Sequence, residues 1–145
     1  MSGLAIPKRI LGVLVAQAKA AAPVEACGIL AGRDGRVETF HPMTNADRST
    51  DHFTMEPREQ FAVAKAIRAA EQEMLAVYHS HPASPARPSP EDMRLAVTPG
   101  VVYVILSLQQ KERPALKGFL IEGSVVTETP VTIVVEEERT GREQA

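Results

Sequence analysis

Between Tyr78 and Leu95 the chain reads YHSHPASPARPSPEDMRL, which sets His79, His81, Ser89 and Asp92 in the order His-Ser-His-Pro, five residues, Pro-Ser-Pro-Glu-Asp. Two imidazoles and a carboxylate form a three-ligand set that suits zinc and leaves a fourth position for water. An open position supports chemistry, whereas four protein ligands usually hold a structural ion. Bound zinc brings the pKa of a water from about 15.7 to about 7, so hydroxide becomes available at neutral pH. The expected chemistry is hydrolysis.

The spacing has local explanations too. Residues two apart on a strand project from one face, so His79 and His81 at the end of an apolar strand from Met74 can point at one ion. Pro82, Pro85 and Pro88 stiffen the loop that follows, and Ser89 to Asp92 starts a short helix. Ser-x-x-Asp with proline at the first helical position is also a capping box, and that role is compatible with Asp92 binding a metal. Hydrolysis needs a base near the ion, and by composition Glu25, Glu56, Glu59, Glu71, Glu73 and Glu91 are all available. Cys27 reads as a buried small apolar residue. His41 and His52 lie outside the pattern and receive no role.

Elsewhere the apolar periodicity predicts a helix from Pro7 to about Ala21 on Ile10, Leu11, Leu14, Val15 and Ala18, ended by Pro23. Gly28 to Arg33 and Arg36 to Phe40 flank Asp34-Gly35, a hairpin signal. A polar loop from His41 returns through a short strand at His52 to Met55. A second helix runs from Pro57 to about Gln72. Val101 to Leu108 is β-branched and apolar, hence a central strand covered on both faces. Ala115 to Ile121 and Val125 to Val135 complete the sheet. The expectation is one α/β domain over residues 1–135, with helices packed on a sheet, and a charged, disordered tail over 136–145.

Composition narrows the functional classes. At 145 residues, 44% apolar and 23% charged, the chain reads as an ordinary globular domain. A formal net charge of −2 argues against nucleic-acid binding by neutralisation of many phosphates. The single cysteine admits no internal disulfide and suits a reducing cytoplasm. Pro7, Lys8 and Arg9 interrupt any apolar leader, and no run nears the roughly 18 to 20 apolar residues that span a bilayer.

The His79-Ser80-His81-Pro82, Pro88-Ser89 and Asp92 pattern resembles the signature of the JAMM (MPN-plus) zinc metalloproteases. Val24-Glu25-Ala26-Cys27-Gly28-Ile29-Leu30 is similar to that family's glutamate segment, and the likeness spans about residues 4 to 125. It implies a mixed, curved sheet flanked by helices in three layers, as in cytidine deaminases. It also implies zinc on His79, His81 and Asp92, Glu25 as general base and then general acid, and Ser89 as hydrogen-bond donor to the oxyanion. The span after Asp92 is short and the Asp34-Gly35 turn is tight, so the insertions that grip ubiquitin in larger relatives are absent. The resemblance is therefore to compact prokaryotic members. The implied substrate is the bond after the C-terminal Gly-Gly of a ubiquitin-like sulfur-carrier protein. A hydrolase of small or cell-wall peptides and a non-catalytic scaffold are the alternatives.

Overall fold

The structure is a computed structural model, and it describes residues 3–135. Eight strands form one mixed sheet in the order β7-β6-β5-β4-β2-β3-β1-β8. In chain order these are β1 (Leu4–Pro7), β2 (Cys27–Arg33), β3 (Arg36–Met43), β4 (Glu73–His81), β5 (Val102–Ser107), β6 (Ala115–Glu122), β7 (Val125–Thr129) and β8 (Val131–Val134). Three helices join them: α1 (Lys8–Ala21), α2 (Pro57–Ala69) and α3 (Pro90–Leu95). The sheet curls so far that its two edge strands, β7 and β8, are joined by Pro130 alone. Gly118 on β6 permits this approach, because a Cβ there would stand 2.7 Å from Val131 Cγ2.

Strand alternation divides the core into two layers. Ala76 and Tyr78 of β4 and Val102, Val104 and Leu106 of β5 pack with Ile10, Leu14 and Ala18 of α1. The Tyr78 hydroxyl donates to Leu14 O at 3.1 Å and so ties β4 to that helix. Val77, Tyr103 and Ile105 point the other way, into a cluster with Ile67 of α2 and with Met93 of α3. The result is α1, sheet, then α2 with α3: the three layers that the resemblance implies. His79 and His81 share the phase of Val77 and therefore belong to the α2/α3 face.

Several boundaries depart from the sequence reading. Leu4–Pro7 is a strand, and the helix begins one residue later at Lys8, because β1 pairs parallel with β8 from the far end of the chain. Pro130 splits the expected Val125 to Val135 strand in two, since proline has no N–H for a ladder. The expected strand at His52 to Met55 reduces to one bridge, Asn45 to Met55. Helix α2 stops at Ala69, and Glu71 turns left-handed at φ 57° just beyond it. The hairpin holds, with positive φ at both Asp34 and Gly35. Strand β5 is buried along its whole length between β4 and β6. The tail over 136–145 lies outside the described residues. Among the described residues, no helix is long and apolar enough to cross a membrane.

Candidate metal centre

Strand β4 delivers two imidazoles to one point, and α3 brings the carboxylate. His79 Nε2 lies 3.1 Å from His81 Nε2 and 3.2 Å from Asp92 Oδ2, and His81 Nε2 lies 2.9 Å from that same oxygen. All three residues are buried. Ligand atoms at roughly 2.0–2.1 Å from a tetrahedral zinc stand about 3.3 Å from one another, close to the triangle seen here. The two nitrogens and one oxygen therefore fit a zinc ion with room for a further ligand. Among the described residues this is the group of histidine and carboxylate donors able to hold a metal.

Neighbouring contacts orient His81 and Asp92 towards the centre. His81 Nδ1 donates to Pro85 O at 2.8 Å, which leaves Nε2 with its lone pair turned to the centre. The proline-rich loop that supplies this carbonyl is anchored in turn, because the Ser107 hydroxyl donates to Ser84 O at 2.5 Å. Phe53 stacks on the His79 ring at 4.7 Å and 26°. Burial pushes the His79 imidazole towards its neutral form against the pull of Asp92. For His81 burial acts the same way, but Asp92 and the Pro85 carbonyl outweigh it and favour protonation. Burial also opposes charge on Asp92, yet hydrogen bonds from His79, His81 and the Ser89 N–H hold its carboxyl below the ordinary range.

The capping box is present. Ser89 Oγ accepts from Asp92 N at 3.0 Å, and Ser89 N donates to Asp92 Oδ2 at 3.0 Å. The cap uses one hydroxyl lone pair and leaves the Ser89 proton free for another acceptor. It also sets the Asp92 carboxylate in place.

Glu25 stands just before β2. Cys27 pairs with His79 in the β2–β4 ladder, and Ser80 N donates to Ala26 O at 3.0 Å. Two residues further along that register, Glu25 falls opposite His81. It is buried, and its Oε1 has no hydrogen-bond partner among the described residues. Burial pushes its carboxyl up to about 7, against the opposing charge of His81. A carboxyl poised there exchanges protons at neutral pH. Of the six glutamates open to the base role, Glu25 is the one buried against the cluster.

Cys27 is buried, its Sγ donates to Met43 O at 3.7 Å, and burial pushes its thiol up to about 12. That chemistry suits packing, not nucleophilic attack. His41 meets Thr39 Oγ1 at 3.4 Å, away from the centre. Sequence reasoning misses Phe53 and the carbonyl of Pro85 as neighbours of the cluster, since neither carries a motif that would reveal it.

Residues 7–117 match the family described as prokaryotic homologs of the JAB domain. The chain belongs to that family. Within the JAB relatives it is 39% identical over 133 residues to the CysO-cysteine peptidase of Mycobacterium tuberculosis, covering 90% of this chain and 91% of that one. It is 33% identical over 139 residues to a desampylase of Pyrococcus furiosus, covering 93% and 92%. The solution structure of a Desulfitobacterium hafniense protein superposes with a TM-score of 0.85 at 43% identity, covering 93% of this JAB chain and 95% of that one.

Proposed function

We propose that this chain is a zinc peptidase that hydrolyses the amide bond after the C-terminal Gly-Gly of a ubiquitin-fold sulfur-carrier protein. The observation that carries the reading is the convergence of His79 Nε2, His81 Nε2 and Asp92 Oδ2 at one buried point. The substrate class rests on the CysO-cysteine peptidase, matched along nearly its whole length. That relative favours a peptide bond to cysteine as the one cut. The cytoplasm is the proposed place of work.

In this reading His79, His81 and Asp92 hold the ion. When bound, zinc would polarise the scissile carbonyl and acidify a water. Glu25 takes the proton released by the attacking water and returns it to the departing amine, a shuttle suited to a buried carboxyl beside the cluster with an oxygen left unpartnered. Ser89 turns its free hydroxyl proton to the oxyanion while its oxygen keeps the α3 cap. Phe53 and the core around Ile105 shield the imidazoles from water.

Incubation with Gly-Gly-terminated carriers extended by cysteine or joined to a lysine side chain, followed by mass spectrometry, tests the proposal. Release of cysteine by the wild type and its loss in Glu25→Gln are expected. Turnover undiminished in Glu25→Gln would remove Glu25 from the mechanism.

A further inference from the structure

Asn45 lies in the loop between β3 and α2, is buried, and uses both ends of its side-chain amide. Its Nδ2 donates to Glu25 O at 3.1 Å, to His52 O at 3.0 Å and, more weakly, to Ser49 O at 3.5 Å. Its Oδ1 accepts from Asp47 N at 3.2 Å and from Thr54 N at 3.1 Å. The loop returns a second bond to the same residue, because Glu25 N donates to Ser49 O at 2.9 Å. Both backbone polar groups of Glu25 are therefore held by this loop, and the Asn45 amide joins its two limbs alongside Ala46 N to Thr54 O at 2.7 Å and Thr54 Oγ1 to Asp47 Oδ2 at 2.6 Å. The same loop presents Phe53 to His79.

We propose that Asn45 is a positioning residue for Glu25, locking the peptide that carries the base to the loop that covers the metal-binding imidazoles. The role calls for a short side chain with donors and an acceptor in one plane. Aspartate has the shape but would turn a second oxygen on three carbonyl oxygens. Alanine leaves those carbonyls and two N–H groups without their shared partner. With the amide gone, Glu25 keeps its chemistry and loses its placement. A displacement near 1 Å at a reacting group costs on the order of 100-fold in rate.

The inference rests on Glu25 being the base, and the test separates the two. Asn45→Ala and Asn45→Asp would be assayed on a carrier ending Gly-Gly-Cys, beside Glu25→Gln, with zinc content and melting temperature measured on each protein. The expected result is kcat lower by about 10- to 100-fold, with KM changed less than about 3-fold and zinc content unchanged. Unchanged kcat in a folded Asn45→Ala, or a loss carried by KM with kcat intact, would overturn the inference. So would failure of Asn45→Ala, Asn45→Asp and Asn45→Gln alike to fold, which would assign the residue to stability alone. Full activity in Glu25→Gln would instead remove the reading on which it stands.

Discussion

The Ser80 hydroxyl accepts a 2.8 Å hydrogen bond from the Ala26 backbone N–H, so the residue between the two histidines is tied to the residue after Glu25. Ser80 and Ala26 are both buried, and the bond holds the histidine strand and the glutamate segment in one register. Ser80→Ala would leave that N–H buried without its side-chain acceptor, at a cost of about 1–3 kcal/mol. The melting temperature should fall by roughly 3–8 °C. Thermal unfolding of the two proteins checks this, and equal melting temperatures would show that the bond contributes nothing net.

Burial of Glu25 makes stability depend on pH. Its carboxyl is pushed from 4.5 up to about 7 in the folded chain, so folding disfavours the charged form. The contribution from the neutral acid is fully present below about pH 4.5 and is lost as pH rises through about 7. In metal-free protein, Glu25→Gln should therefore melt higher than the wild type at pH 8, with the gap closing towards pH 4.5. A gap of constant size across that window would mean that Glu25 does not titrate as its burial implies.

Ser89 caps α3, and the proposed mechanism gives it a second role as donor to the oxyanion; one substitution can part the two. Ser89→Ala removes the α3 cap, for about 0.5–2 kcal/mol, and should also slow turnover by about 100-fold through loss of the donor to the oxyanion. A lower melting temperature with unchanged kcat would confine Ser89 to capping. Parallel melting curves and kinetics on one preparation settle the matter.

Cys27 should resist thiol reagents in the folded state, because its sulfur is buried and its pKa stands at about 12. Ellman's reagent should find one thiol per chain in denaturant and almost none without it. Cys27→Ala should keep its zinc and a kcat within about 3-fold of wild type. Loss of metal in that variant would bring Cys27 into the coordination sphere.

Most of the metal centre is legible in the sequence. His79 and His81 sit two apart on a strand, and Ser89 to Asp92 has the spacing of a cap, so local rules place these side chains while the resemblance names them as ligands. Glu25 is different. It reaches the centre through the pairing of Cys27 with His79, a long-range register that no local pattern encodes, and only the resemblance distinguishes it from five other glutamates. Strand β1 is hidden for the same reason: Leu4-Ala5-Ile6-Pro7 is too short to announce itself and exists because β8 lies beside it. The break at Pro130 is open to local rules, and reading Val125 to Val135 as one strand passes over it. Phe53 and Asn45 gain their places from a loop without periodicity, held by the buried Asn45 amide together with bonds among Asp47, Ser49, Asp51, His52 and Thr54.

The account depends above all on one ion held by His79, His81 and Asp92. Elemental analysis of purified wild type, Glu25→Gln and His81→Ala tests it most directly. About one zinc per chain is expected in the first two and almost none in the third, with carrier cleavage confined to the wild type. Carrier cleavage by protein that holds no metal, or a full equivalent of zinc retained in His81→Ala, would contradict it.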